Sequence, residues 1–263
     1  SMARSMWIAA SGMMAQQLNI DVISNNLANV NTVGYKKSRA DFEDLMYQKI
    51  TMPSVGYDGK VDGSMGVQVG LGVRSVGVPK AYTEGNINQT NNDLDIAIEG
   101  DGFFQVQMPS GEIGYTRAGN FKKNGDGYMT TPDGYLLLPS VQVPADSKSL
   151  YISADGKITV NRSGQTTAED IGQLQIAVFA NPAGLENTGR NIVTQTNASG
   201  DPMLETPGAN GSGTLSQGYL EASNVDIAEE MIKMIMAQRA YEINSKAIQS
   251  SDELLAMTNN LRR

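Results

Sequence analysis

Apolar positions recur at alternating steps of four and three in two stretches, one at each end of the chain. In the C-terminal stretch the seam runs Ile227, Met231, Met234, Gln238, Tyr241, Ser245, Ile248, Asp252 and Leu255, with Ile235 beside it. That spacing draws one stripe along a helix. Ser223 and Asp226 form an S-x-x-D start signal, and no Pro or Gly follows before Leu261. At 1.5 Å per residue this predicts a rod of roughly 57 Å. Glu229 with Lys233, and Glu242 with Lys246, add acid-to-base pairs four residues apart, the favourable order on a helix. The polar members Gln238, Ser245 and Asp252 weaken the seam. A helix of this kind is marginal alone and needs a partner surface.

Residues 4–29 predict a second helix with the seam Met6, Ala10, Met13, Gln17, Ile20, Ser24 and Leu27, widened by Trp7, Met14 and Leu18. The turn-forming run Asn29–Gly34 ends it. Arg4 followed by Met6–Ala15 has the outline of a secretory signal, but Gln16 onward keeps the helical period and offers no cleavage site. No run approaches eighteen apolar residues, so no membrane span is expected.

Between the ends the period changes to two. Leu94, Ile96 and Ile98 alternate with Asp95, Ala97 and Glu99, which predicts a half-buried strand with Asp93 and Asp95 on the solvated side. Phe104, Val106 and Met108 predict a strand, as do Ile158 with Val160, and Leu174, Ile176 and Val178. Turn dipeptides stand at Asn124-Gly125, Asp126-Gly127, Asp133-Gly134, Asp155-Gly156 and Asn210-Gly211. Residues 41–50 read as a short helix or strand, and Thr51–Gly70, rich in Gly and Asp, as a surface loop. Val67, Val69, Leu71 and Val73 alternate as a strand, and Val76 and Val78 shift the parity, so a bulge is expected near Ser75. The organisation expected is four segments: an N-terminal helix (1–35), an extension or linker (36–70), a β-rich middle (71–222) and a C-terminal helix (223–263). The fold class is α+β, an antiparallel β domain inserted between N- and C-terminal helices that form a coiled-coil module.

Composition narrows the chemistry. Twenty basic against 28 acidic residues leave a net charge of −8. Lys36, Lys37 and Arg39 cluster, but Asp41, Glu43 and Asp44 follow at once, so no nucleic-acid partner is expected. There is no Cys and no His, which removes thiolate metal sites, disulfides and the commonest general base. Asn124-Gly-Asp126-Gly-Tyr128 invites a calcium-loop reading, but Met129 and Tyr135 stand where such a loop needs Gly and Glu, so a turn is expected. Gly70-x-Gly72-x4-Gly77 lacks the spacing of a phosphate loop and no helix start follows it. Asp93 and Asp95 could be paired catalytic carboxylates, but their alternation with Leu94, Ile96 and Ile98 makes them a solvated strand face. No catalytic residue, metal or cofactor is expected. Fourteen Met residues, several on the terminal helices, suit surfaces that repack against neighbours.

Five stretches carry a family resemblance. Ser24-Asn25-Asn26-Leu27-Ala28-Asn29-Val30-Asn31-Thr32-Val33-Gly34-Tyr35-Lys36 is similar to the N-terminal signature of bacterial flagellar rod and hook proteins, the axial protein family. Ser38–Gln48 narrows the likeness to the distal rod subunits. Ala237-Gln238-Arg239-Ala240-Tyr241-Glu242-Ile243-Asn244-Ser245-Lys246-Ala247 resembles the C-terminal signature. Gln89–Phe104 and Tyr115–Phe121 resemble stretches of the middle domain, where Gly serves tight turns and Phe103 or Phe104 with Phe121 anchors a core.

The resemblance implies a structural subunit of the distal rod, self-assembling into a rigid helical tube that transmits torque from motor to hook. It implies terminal helices that meet neighbouring copies through Met6, Met13, Ile20, Leu27, Ile227, Met231, Met234, Ile235, Tyr241, Ile248 and Leu255. The implied partners are further copies of the chain, proximal rod proteins, hook protein, the ring bushing and the flagellar type III export apparatus. The implied place is the basal-body rod in the periplasm, reached without a cleavable signal. In this family the 51–70 region resembles an extension that stiffens the rod. Two other readings are a proximal rod or hook subunit, and a periplasmic cell-wall-binding or hydrolytic protein on a β scaffold. The Lys36–Gln48 segment argues against the first, and the lack of His, Cys and a convergent acidic pair against the second.

Overall fold

A computed structural model describes residues 2–44, 48–55, 61–69 and 73–262. The chain divides into two compact units, one of Ser1–Leu27, Ser38–Pro79 and Ile227–Arg263, the other of Ala28–Lys37 and Lys80–Asp226. The fold is α+β, with a helix at each end of the chain and largely antiparallel strands between them.

The first unit holds both helices, α1 (Met2–Ala28) and α2 (Ile227–Leu261). Helix α2 starts at Ile227, four residues past the expected cap, Ser223. Ser223 Oγ accepts from the Val225 amide at 3.1 Å and closes a local turn instead, the usual competition of a hydroxyl with helical bonding. The two helices meet at two described points. Asn26 Nδ2 donates to Glu230 Oε2 at 3.2 Å, and a Cβ placed on Gly12 would lie 3.0 Å from Asn244 Nδ2. From Gly12 to Asn26 is fourteen residues, and so is the step from Glu230 to Asn244. The helices therefore run antiparallel and in step, with the buried Ala237 midway.

The same unit carries two antiparallel strand pairs. Asp41–Asp44 pairs Val73–Gly77, and the register slips between Phe42↔Ser75 and Asp41↔Gly77, which leaves Val76 as the extra residue. That is the break expected near Ser75. Gln48–Val55 pairs Val61–Val69, so much of the expected surface loop is a hairpin. Leu45–Tyr47, residues 56–60, Leu71 and the Gly70-x-Gly72 pair lie outside the described residues.

The second unit is built of sheets. A seven-stranded antiparallel sheet runs in the order Glu186–Gly189, Ile192–Thr194, Ile113–Thr116, Phe104–Gln107, Leu136–Leu138, Met129–Thr130 and Lys122–Lys123. A three-stranded sheet holds Ser147–Ile152, Lys157–Arg162 and Glu169–Gln173. Three further pairs join Ile96–Glu99 with Thr214–Gln217, Ile87–Gln89 with Tyr219–Glu221, and Ile176–Val178 with Met203–Glu205. The strand expected over Leu174–Val178 is interrupted, because the Leu174 amide donates to the Gly156 carbonyl at 2.8 Å. The Asn124 turn forms as expected: Asn124 Oδ1 accepts from the amides of Asp126 and Tyr128 at 3.0 and 2.9 Å.

The solvated placing of Asp95 is overturned. Asp95 is buried, not solvated, and so is Ala97. Strand Ile96–Glu99 is paired by Thr214–Gln217 on one edge, while the Ile96 amide reaches the Gly119 carbonyl at 3.0 Å on the other. Ile96, Ala97 and Ile98 are all fully buried, so both faces of the strand are covered and alternation no longer tells inside from outside. Asp95 is satisfied by Thr90 Oγ1, which donates to its Oδ2 at 2.7 Å. The approach at Gly119 is so close that a Cβ there would sit 1.6 Å from the Ile96 carbonyl oxygen.

Two apolar clusters fill this unit. The larger gathers Ile96, Ile98, Phe104, Phe121, Met129, Leu137, Ile158, Val160, Leu174 and Ile176 among others, with Phe104 edge-on to Phe121 at 5.0 Å. Phe103 points the other way, into a smaller cluster with Tyr115, Phe179, Val193 and the partly buried Tyr82. Consecutive phenylalanines thus anchor opposite faces of one strand.

Phe104→Ala should destabilise the β unit by about 3–5 kcal/mol. Urea unfolding followed by tyrosine near-ultraviolet dichroism measures this, because the sole tryptophan, Trp7, lies in α1. Burial pushes the Tyr82 phenol up to about 12. Between its ordinary value near 10 and that one, the unfolded chain gives up a proton that the folded chain keeps, so stability falls as pH rises. Tyr82→Phe should flatten that alkaline fall relative to the parent chain, read as unfolding midpoints from pH 9.5 to 12.

Candidate functional site

The N-terminal signature is a pair of anchors. At its start, Asn26 is buried, and its amide acts in three directions. Nδ2 donates to the Ser38 carbonyl at 2.8 Å and to Glu230, and Oδ1 accepts from the Ser38 amide at 3.0 Å. Asparagine is one of two side chains that present donor and acceptor side by side in this way. Between the anchors, Thr32 and Tyr35 amides bond to the Asn29 and Thr32 carbonyls, two turns in succession. Gly34 then takes a φ of +66°, where a Cβ would stand 2.6 Å from the Ala118 amide nitrogen. Only glycine suits that backbone and that space.

The second anchor is a buried charge cluster around Glu221, whose side chain is fully enclosed. Lys36 Nζ contacts Glu221 Oε1 and donates to the Thr83 carbonyl at 2.7 Å. The Gly85 amide reaches the same carboxylate oxygen at 3.0 Å. Arg117 brings Nε and Nη2 to Glu221 Oε2, each at 2.8 Å. Its remaining donors are spent on the carbonyls of Gly100, Gly102 and Ile98 at 2.7–2.9 Å. All five guanidinium donors and both carboxylate oxygens are thus engaged within the protein. Burial holds the Lys36 ammonium below its usual value, and the attraction of Glu221 opposes that. Beside it, Asn224 clasps the chain: Oδ1 accepts from the Lys37 amide at 2.7 Å, and Nδ2 donates to the Ala81 carbonyl at 2.9 Å. Lys80 lies over the Tyr35 ring at 4.7 Å.

The other signature residues are placed as follows. Asn25, Ala28 and Asn31 are exposed, Leu27, Asn29 and Thr32 half-buried, Gly34 and Tyr35 buried. In the C-terminal signature, Gln238 and Arg239 are exposed while Ala240 and Tyr241 are half-buried. Of the expected assembly residues, Met6, Met13, Ile20, Leu27, Met234, Tyr241 and Ile248 are half-buried, and Ile227, Met231, Ile235 and Leu255 are exposed. The line along which α2 meets α1 is Glu230, Ala237 and Asn244, one residue off the Met231–Gln238–Ser245 seam. One residue turns a helix by about 100°. The contact line itself carries small and polar side chains, with the half-buried Met234, Tyr241 and Ile248 beside it, while Met231, Ile232, Ile235, Met236 and Ile243 stay exposed.

Glu221, Arg117 and Asn224 carry no sequence signal of their own. Arg117 stands inside the Tyr115–Phe121 stretch, where Gly and Phe explain the pattern without it, and Glu221 pairs with residues 104 and 185 positions away. Among the described residues no group of three or more acidic side chains gathers as a metal site would require, and no described helix is long and apolar enough to cross a membrane.

Residues 6–36 match the flagella basal body rod protein family, residues 97–160 the D1 domain of flagellar hook proteins FlgE/F/G, and residues 216–261 the C-terminal region of flagellar basal body rod FlgEFG proteins. The chain is 50% identical to the flagellar basal-body rod protein FlgG of Buchnera aphidicola subsp. Schizaphis graminum, over 97% of this chain and 98% of that protein. It is 46% identical to the FlgG of Borreliella burgdorferi and 41% to that of Bacillus subtilis, in both cases over 100% of each chain.

Glu221→Gln should cost about 3–5 kcal/mol, because it leaves the buried cations Lys36 and Arg117 with only the exposed Glu84 carboxylate, 3.7 Å from Arg117, as counter-charge. Chemical unfolding of the variant beside the parent chain measures it.

Proposed function

The chain belongs to the flagellar basal-body rod protein family and is a structural subunit of the flagellar rod, and we propose that it serves there as the distal rod subunit, polymerising into a stiff helical tube that carries torque from motor to hook. The observation that carries this reading is the exposed apolar surface of α2. A helix of 35 residues that keeps Met231, Ile232, Ile235, Met236 and Ile243 exposed along its length has apolar surface to be covered by others. Burying Ile, Leu and Met side chains gives roughly 1.5–3 kcal/mol each, a gain realised only between copies. The contacts would be heterologous, so that each copy added leaves a free surface for the next. In this reading α1 and α2 form a coiled-coil module, and the surfaces about Met6, Met13, Ile20, Ile227, Met231, Met234, Ile235, Tyr241, Ile248 and Leu255 meet neighbouring copies. Rigidity follows from many such interfaces in parallel, each unable to slide. Proximal rod proteins, hook protein and a ring bushing would adjoin the tube in the periplasm, after export of the subunit through the flagellar type III apparatus.

Met231→Asp and Ile235→Asp should each weaken polymerisation at least tenfold, by roughly the 1.4 kcal/mol or more that one buried apolar side chain supplies. The β unit should keep its parental unfolding curve. Sedimentation and negative-stain microscopy of concentrated samples read the first effect, and dichroism reads the second. Straight tubes formed at the parental concentration by both variants would overturn the proposal.

A further inference from the structure

Sulfur is spread unevenly over the surface of this chain. There is no cysteine, so methionine thioethers are the only sulfur an oxidant can reach. Among the described residues, the exposed methionines are Met14, Met231, Met236 and Met257 on the helices and Met203 in the β unit. Met129, in the larger apolar cluster, is enclosed. Oxidation to the sulfoxide turns a flexible apolar side chain into a polar one, so its effect depends on what surrounds the sulfur.

Met231 stands apart by its surroundings. On a helix the neighbours of a side chain lie three and four residues away. For Met231 these are Ile227, Ala228, Met234 and Ile235, all apolar, and Ile227, Ala228 and Ile235 are exposed with it. Each of the other exposed helix methionines has polar neighbours at the same spacing. Met236 lies between Lys233 and Arg239, Met257 has Glu253 and Asn260, and Met14 has Ser11 and Gln17. A sulfoxide at those positions stays beside groups that hold water. At Met231 it would put an oxygen in the middle of an apolar row that loses its water when a neighbour covers it, and a polar group dehydrated without a partner is costly.

Resting on the rod reading, we propose that Met231 is an oxidation site through which a peroxide blocks the free subunit from joining the tube, reversibly. The thioether sulfur attacks one peroxide oxygen. The S–O bond forms as the O–O bond breaks, sulfur gives up two electrons, and hydrogen peroxide leaves as water. A thiol-dependent methionine sulfoxide reductase reverses the change, taking the oxygen off as water while two thiols pass to a disulfide. Subunits already in a tube have Met231 covered and are spared, so the block falls on free subunits.

The test treats free chain and assembled tubes with hydrogen peroxide and locates the added oxygen by peptide mass spectrometry. Met231 should take up oxygen in the free chain and resist in tubes, while Met129 should resist in both. Peroxide should raise the concentration the free chain needs for polymerisation by about tenfold or more, the worth of one buried apolar side chain. Incubation with sulfoxide reductase and thiol should return it. The decisive reading is the ratio of that concentration after and before treatment, taken within each variant. Met231→Leu keeps an apolar side chain of similar volume but removes the sulfur, and its ratio should be several-fold smaller than that of the parent chain. Met236→Leu and Met203→Leu should keep the parental ratio. A parent chain that polymerises at its untreated concentration with Met231 fully oxidised would overturn the proposal and leave the rod reading standing. So would a parental ratio in Met231→Leu, since oxidation elsewhere would then be responsible. An untreated parent chain that never polymerises would overturn both.

Discussion

The carboxylate of Glu221 is the constraint on which the β unit rests. A fully enclosed acid is tolerable only if its charge is met and each oxygen is occupied. Here Lys36 and the Gly85 amide take one oxygen and Arg117 takes the other. Lys36, Gly85 and Glu221 itself lie near the ends of the two segments that make up the unit, residues 28–37 and Lys80–Asp226, while Arg117 comes from inside the second. A neutral core could be assembled in several ways. A buried carboxylate with two cations fits one way, because any other leaves a charge without its partner. Asn224 adds hydrogen bonds to Lys37 and Ala81 at the same place, so the segments leading into and out of the unit are fixed next to one another.

The first unit follows the opposite logic. Its helices meet through Asn26, Glu230, Gly12, Asn244 and Ala237, side chains that fix register and closeness but bury little apolar surface. Polar contacts of this sort specify an arrangement more than they stabilise it. The apolar residues that would stabilise a closed monomer stay exposed along α2. A rod subunit needs both properties, a defined register so that every copy is alike, and unspent apolar surface so that copies adhere. The N-terminal signature serves each unit by a different residue. Asn26 bonds within the helical unit, and Gly34 and Lys36 bond within the β unit.

The sequence by itself determined the elements. A four-and-three period can only be satisfied by a helix and a two-residue period by a strand, so α1, α2, the strands at Phe104 and Ile158, and the turn at Asn124 could be read from spacing alone. The break near Ser75 could be read for the same reason, since Val76 shifts the parity. The signatures of residues 24–36 and 237–247 also lay in plain view. What only the tertiary structure decided was how each element faces the others. Asp95 looked solvated because alternation assumes one wet face, and here Ile96, Ala97 and Ile98 are all buried, so both faces are packed over. The side of α2 turned to α1 differs by one residue from the richest apolar seam, because close approach at Gly12 and the Asn26–Glu230 bond set the rotation, not hydrophobicity. Glu221 read as an ordinary acid on a short strand, for its partners stand up to 185 residues away in sequence. Periodicity is a property of neighbours along the chain, whereas the satisfaction of a buried charge is a property of neighbours in space.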